Sequence, residues 1–186
     1  MESVKIVLTS DSHREYVLLQ AIQEEYPDAD YYIDCGDTEI RQEEVIDEYY
    51  DQGWIMVEGN CDYGWLPSER ILTILGHKIW ILHGDDYMDF RNQWQDDFYA
   101  RILEEDIDLV LYGHTHVVYD EQVMVSDEKT VRLINPGSVA RPRDIFSFDQ
   151  GAYGLLTITE QSIDFTSIRY NKYELFDAYC QRHGID

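Results

Sequence analysis

The sequence predicts an α/β protein. Five short β-type apolar runs each stop at polar or glycine-containing punctuation, and segments with helical apolar spacing lie between several of them. After Thr115 the texture changes to consecutive strand-like runs joined by turns. Strands alternating with helices imply parallel pairing in the first half, and the later run of strands implies antiparallel pairing in the second.

VKIVL at 4–8 leads into Thr9-Ser10-Asp11-Ser12-His13, and 14–25 then places Val17, Leu18, Ala21 and Ile22 on one helical face. YYI at 31–33 leads into Asp34-Cys35-Gly36-Asp37, and 39–51, with Ile40, Val45 and Ile46, reads as a second helix. WIMV at 54–57 runs into Glu58-Gly59-Asn60-Cys61-Asp62. A hairpin over 72–82 turns near Gly76, and its second arm, KIWIL, ends at His83-Gly84-Asp85. The longest helix is expected over 88–105, and DLVLY at 108–112 precedes Gly113-His114-Thr115-His116. Strands follow at 117–125, 130–134, 154–158 and 162–168, with a closing helix over 172–182. No repeat or linker divides the chain, so 1–186 is expected to form one domain with 171–186 as its terminal helix and tail.

Composition narrows the function. Apolar residues make up 44% of the chain, enough for a sizeable core, and no apolar run approaches the roughly 20 residues that span a bilayer. The first residues lack a signal peptide's apolar centre, so a cytoplasmic location is expected, with no membrane partner. Fourteen Lys and Arg against 38 Asp and Glu give a net charge of −24, which repels nucleic acid backbones and attracts cations. Cys35, Cys61 and Cys180 are odd in number and lack CxxC spacing, which argues against a disulfide framework and a structural zinc site.

In open α/β sheets ligands bind beyond the carboxyl ends of the strands, where all five punctuation segments stand. Those segments supply Asp11, His13, Asp37, Asn60, His83, His114 and His116. Carboxylates, imidazoles and one amide suit Mn²⁺, Fe²⁺, Zn²⁺, Co²⁺ or Ni²⁺. Any one of these residues alone is weak evidence, because a histidine or a Gly-Asp turn has many structural uses. Together they are too many ligands for one ion and suit two ions about 3.5–4 Å apart that share a bridging carboxylate.

Asp11-x-His13, Gly36-Asp37, Gly59-Asn60-Cys61-Asp62, His83-Gly84 and Gly113-His114-Thr115-His116 resemble the ordered signature of calcineurin-like metallophosphoesterases. The spacing is most similar to a compact bacterial and archaeal phosphodiesterase subfamily, as are Asn135-Pro136-Gly137-Ser138 and Arg141-Pro142-Arg143. The resemblance implies a four-layer α/β/β/α sandwich with mixed sheets. It implies that Asp11, His13 and His116 hold one metal, Asn60, His83 and His114 a second, and that Asp37 bridges them. Manganese is the first choice of ion, with nickel, iron, zinc or cobalt as alternatives. The activity implied is hydrolysis of a small phosphate ester, most readily a phosphodiester, by a metal-bridging hydroxide.

Asn60, His83, Cys61 and Asp62 are the catalytic candidates under this resemblance. Many larger members carry a histidine directly after the asparagine to protonate the leaving oxygen. Cys61 stands there in this chain, and a thiol is the weaker acid. Arg141 and Arg143 are candidates for contacts to a substrate phosphate. Asn135 and Gly137 are expected to shape a turn supporting the metal loops, His77 to be structural, and Tyr63 and Trp65 to pack or to stack on a nucleobase or aryl leaving group. The expected partner is a small phosphorylated substrate and no nucleic acid polymer; a homo-oligomer through the edge of the antiparallel half is left open. The alternative is a non-catalytic protein-binding scaffold, since a eukaryotic trafficking subunit uses the same fold in that way. Loss of a metal histidine would favour it.

Overall fold

A computed structural model describes residues 2–41, 53–145 and 147–185. Its strands follow from alternating apolar residues that face two different cores. In β1 (Val4–Thr9), Ile6 and Leu8 point one way and Val7 the other. In β5 (His77–Leu82), Ile79 and Ile81 oppose Trp80 and Leu82. Leu109 and Leu111 oppose Val110 in β6 (Leu109–Leu111). A strand apolar on both faces must be covered on both, which produces layers.

One sheet has the order β10-β9-β1-β2-β3 and includes β2 (Tyr31–Asp34), β3 (Trp54–Met56), β9 (Gln150–Ile158) and β10 (Ile163–Asn171). The other runs β4-β5-β6-β8-β7, with β4 (Glu69–Ile74), β7 (Val118–Ser126) and β8 (Lys129–Pro136). Ile6, Leu8, Ile33, Ile81, Leu111, Ile134 and Leu156 fill the space between the sheets. The outer face of the first sheet packs on α1 (Tyr16–Glu25), through Leu18, Leu19 and Ile22, and on α3 (Lys172–His183), through Leu175 and Tyr179. The second sheet's outer face packs on α2 (Asp96–Glu105), where Phe98 and Ile102 meet Trp80 and Tyr112. The result is the expected α/β/β/α sandwich with mixed sheets.

Pairing is parallel for β1–β2, β2–β3, β5–β6 and β6–β8, and antiparallel for β4–β5, β7–β8, β9–β1 and β9–β10. The second half of the chain therefore forms two hairpins that join different sheets. One consequence is that the connection from β8 to β9 leads from one sheet to the other, and its first part, 137–143, runs beside the strand ends.

The helix expected over 88–105 begins only at Asp96. The Asp89 carboxylate accepts from the amides of Arg91 and Gln93, Asn92 adopts a φ of 57°, and Met88 bridges Trp94. A side chain that satisfies its own following amides offers the backbone an alternative to the helix. The helix expected over 39–51 falls, from residue 42 onward, outside the described residues. The closing helix starts where expected, with Asn171 Oδ1 accepting from Tyr173 N and Glu174 N at 3.0 and 3.2 Å. Among the described residues no helix is long and apolar enough to cross a membrane.

Candidate metal centre

The loops after β1, β2 and β6 reverse within a few residues, and all five of their ligand candidates take left-handed backbone conformations. The φ values are 54° at Asp11, 46° at His13, 56° at Asp37, 65° at His114 and 60° at His116. Non-glycine residues held this way cost of order 1–3 kcal/mol each and persist only where the surroundings impose them. Here a lattice of main-chain bonds imposes them. Asp11 N donates to Gly36 O (2.9 Å), His13 N to Asp37 O (3.0 Å), Gly113 N to His83 O (3.0 Å) and Arg143 N to His116 O (3.0 Å).

Close packing of these loops demands glycine at two points. A Cβ on Gly113 would lie 2.0 Å from Ser10 Oγ and 3.0 Å from Asp11 Oδ2. A Cβ on Gly59 would lie 2.3 Å from Asp37 Oδ1.

Asp11, His13, Asp37 and His116 are all buried and offer ligand atoms that lie within 4.8 Å of one another. His116 Nε2 sits 3.1 Å from Asp11 Oδ1 and 3.3 Å from His13 Nε2. Asp37 faces two ways, with Oδ2 at 4.0 Å from His13 Nε2 and Oδ1 at 3.5 Å from His83 Nε2. The His83 ring meets His114 edge-on, centroids 5.3 Å apart, and His114 Nδ1 lies 3.0 Å from Asn60 Oδ1. Asp11, His13, Asp37 and His116 thus gather around one point, while His83, His114 and the more exposed Asn60 continue from Asp37 as an adjoining chain.

Two buried atoms here, Asp11 Oδ1 and His83 Nε2, make no hydrogen bond. Orphaned polar atoms in a buried site are costly unless a ligand satisfies them. The opposite ring nitrogens are tied down: His83 Nδ1 to Cys35 O at 2.8 Å, His116 Nδ1 to Arg141 O at 2.7 Å, and His13 Nδ1 to Glu39 Oε1 at 3.1 Å. Anchoring Nδ1 on a carbonyl or carboxylate leaves Nε2 as the free lone pair, the usual arrangement of a metal-ligating imidazole. The donor set and its orientation therefore fit a divalent transition metal.

Electrostatics agree. Burial lowers the His83 pKa, but Asp37 and Asp11 outweigh it and raise it to about 9. Burial likewise pushes Asp37 upward, yet His83 and the Cys61 contact hold it well below the ordinary carboxylate range. His114 is lowered by burial and then by His83. These opposed shifts mark anionic and cationic partners compressed into one buried space.

Asp62 stands behind the ligands. Its Oδ2 accepts from Asp37 N (2.9 Å) and Gly59 N (2.7 Å), and its Oδ1 from Glu39 N (2.6 Å) and Thr38 Oγ1 (3.1 Å). It clamps the β2 and β3 loops together. Cys61 is exposed; its amide donates to Asp37 Oδ1 at 2.7 Å, and its thiol pKa is pushed up to about 12 by burial and by Asp37. Arg141 and Arg143 are exposed, and their segment is bonded to His116 through main-chain atoms.

Asn135 supports the loops, donating to Gly113 O (2.6 Å) and accepting from Gly137 N (2.8 Å), while Ser138 Oγ donates to Asp11 O (2.8 Å). His77 bonds Thr159 O at 2.8 Å and stands at the start of β5, the opposite end of that strand from His83. Trp65 packs on the helix-side core, and Tyr63 is exposed and accepts from Arg14. Sequence reasoning missed Glu39, which joins His13 to Arg14 (Nε to Oε2, 2.8 Å). Its position just after the Gly36-Asp37 motif is the only signal it carries.

A four-layer sandwich with a buried His/Asp centre at its strand ends is the architecture of the metallophosphoesterases, a metal-dependent class of hydrolases. The model for the calcineurin-like phosphoesterase superfamily domain matches residues 4–161, and the chain belongs to that superfamily. It is 33% identical over 144 residues to a probable metallophosphoesterase of Methanocaldococcus jannaschii, covering 74% of this chain and 69% of that protein. A predicted phosphoesterase from Streptococcus pneumoniae superposes with a TM-score of 0.72 at 25% identity, over 92% of this chain and 99% of that one. Vacuolar protein sorting 29 from Cryptosporidium parvum shares the fold, with a TM-score of 0.64 at 16% identity over 91% and 99% of the two chains.

Proposed function

We propose that this protein is a dinuclear metal-dependent phosphodiesterase acting on a small phosphate ester. The observation that carries the reading is the division of Asp37 between two groups of ligands, with an unsatisfied buried atom in each: Asp11 Oδ1 beside His13 and His116, and His83 Nε2 beside His114. Asp11, His13 and His116 would hold the first cation, Asn60, His83 and His114 the second, and Asp37 would span both. Bound cations there supply Lewis acidity, which acidifies water and neutralises phosphoryl oxygens; manganese is the first candidate.

The chain's own groups do the rest. The bonds from Nδ1 of His13, His83 and His116 to fixed acceptors orient the rings before substrate arrives. Asp62 keeps the loops bearing Asp37 and Asn60 in register. Asn60 Nδ2 lies 3.3 Å from Cys61 Sγ, which places the thiol at the edge of the centre as a candidate to deliver a proton to the leaving oxygen. So weak an acid favours substrates whose leaving groups depart with little help. A net charge of −24 favours a phosphodiester, with one negative charge, over a monoester with up to two.

The scaffold reading is supported by fold alone, since the likeness to vacuolar protein sorting 29 lies at 16% identity. All four histidines that a metal would need are present here. The test is hydrolysis of bis(p-nitrophenyl) phosphate by chelator-stripped protein, with and without Mn²⁺, beside His83→Ala and with bound metal counted. Turnover restored by metal and lost in the variant is the expected result. A protein that takes up no metal overturns the reading and favours the scaffold; a single bound ion with full activity overturns its dinuclear part.

A further inference from the structure

A cavity of about 720 Å³ is lined by Arg141, Arg143, Ile145 and Phe148 of the loop after β8 and by Lys172 and Tyr173 at the start of α3. Its size is that of a small-molecule site. The segment lining it is bonded to both ends of the His116 residue, through Arg141 O to Nδ1 and through Arg143 N to the His116 carbonyl. The cavity is thus mechanically continuous with the proposed centre.

Its charge is opposite to that of the molecule. Arg141, Arg143 and Lys172 line it against one acid, Glu15, in a chain with 14 basic and 38 acidic residues. Most basic residues elsewhere lie on carboxylates, such as Lys5 on Asp28, Arg101 on Glu69, Lys129 on Asp106, Arg132 on Asp120 and Arg169 on Asp144, while Arg70 donates to the Met56 carbonyl and Arg91 lies over the Phe90 ring. Among the described residues Arg141 and Arg143 pair with no carboxylate, and the Lys172 ammonium donates to the Ala140 carbonyl at 2.6 Å. Burial lowers the Lys172 pKa, the Glu15 charge opposes it, and the nearby Arg141 charge adds to the lowering. Three cations left together in so acidic a protein have a use for an anion.

The walls also offer flat apolar surface. Phe148 is 95% exposed and Tyr173 64% exposed, and both line the cavity. An aromatic ring left in water next to cations is the pairing that binds a planar ring bearing a phosphate.

We propose that this cavity binds the non-reacting half of the substrate, and that this half is a nucleoside phosphate: a planar ring against Phe148 and Tyr173, with its phosphate on Arg141, Arg143 and Lys172. The inference rests on the phosphodiesterase reading for the word substrate, but the site itself is testable without turnover. A diester whose distal group carries its own phosphate would be held by the cavity while the scissile phosphorus meets the metal loops.

The experiment is calorimetric binding of ADP, adenosine and pyrophosphate to the full chain, each with and without Mn²⁺, for wild type, Arg143→Ala and Phe148→Ala. Both substituted side chains are exposed, so the fold is kept. ADP should bind more tightly than either adenosine or pyrophosphate. Arg143→Ala should weaken ADP by about tenfold, the size of one charge-assisted bond, and by the same factor with and without Mn²⁺. Phe148→Ala should weaken ADP severalfold and leave pyrophosphate unchanged. ADP that binds both variants like wild type, or no better than pyrophosphate, overturns the proposal. Hydrolysis of bis(p-nitrophenyl) phosphate is followed in parallel. If it persists while ADP binding fails the cavity inference alone falls, and if ADP binds while metal-dependent hydrolysis is absent the phosphodiesterase reading alone falls.

Discussion

Asp34 ends β2, is fully buried, and has both oxygens engaged, Oδ1 by Gly36 N at 2.9 Å and Oδ2 by Thr9 Oγ1 at 2.7 Å. Burial is the largest influence on it and acts upward. The two hydrogen bonds pull back part of the way, Asp62 and Asp11 add to the rise, and the carboxyl titrates at about 7. In the unfolded chain it titrates near 4. Between those values the unfolded state binds fewer protons, so stability falls as pH rises from about 4 and levels off above about 7. At about 1.4 kcal/mol per pH unit the whole interval is worth of order 4 kcal/mol. Asn in place of Asp34 keeps one acceptor for Gly36 N and a donor for Thr9, and cannot ionise. In metal-free protein, Asp34→Asn should therefore gain on wild type steadily from pH 5 to 7 and be the more stable by a few kcal/mol at pH 8. Urea melts at pH 5, 6, 7 and 8 measure this. Parallel stability curves for the two proteins across that range would refute the argument that burial holds Asp34 neutral.

The metal loops carry the remaining predictions. Asp37→Asn should lower bound-metal stoichiometry and diesterase activity together, read by metal analysis and aryl diester turnover, because one side chain faces both ligand groups. Gly113→Ala places a methyl 2.0 Å from Ser10 Oγ, so it should destabilise the fold by about 1–3 kcal/mol, as overpacking does, and weaken metal uptake, read by thermal melting and metal titration. Cys61→Ser should slow diesters with poor leaving groups more than activated aryl diesters; equal slowing would return Cys61 to a packing role.

Much of the site was legible because strand ends are local features. A run such as VKIVL or DLVLY followed at once by Asp or His is visible without knowing what the run pairs with. Their convergence follows from parallel strands, which deliver their carboxyl ends to the same side. The start of α2 was illegible for an equally local reason of the opposite sign: the Asp89 side chain closes a turn on its own backbone where apolar spacing suggests helix. The supports of the histidines were illegible in another way. Cys35 and Arg141 act through carbonyl oxygens, which every residue has, so their identity carries no signal.

By itself the sequence determined the strand-and-helix alternation of an α/β protein, the mixed nitrogen and oxygen donor set, and the excess of negative charge, since each is written in residue type and spacing, while the four layers were implied by the resemblance of its motifs. Only the tertiary structure decided that β7–β8 and β9–β10 join different sheets, because hairpin pattern specifies a partner strand and not the long-range edge it docks on. That allocation carries residues 137–143 past the strand ends, where Ser138 reaches Asp11 and Arg141 reaches His116. It also brings Glu15, Arg143 and Lys172, remote in sequence, to the walls of one cavity. Contacts between residues more than a hundred positions apart depend on how the sheets stack, and the stacking is a property of the packed whole.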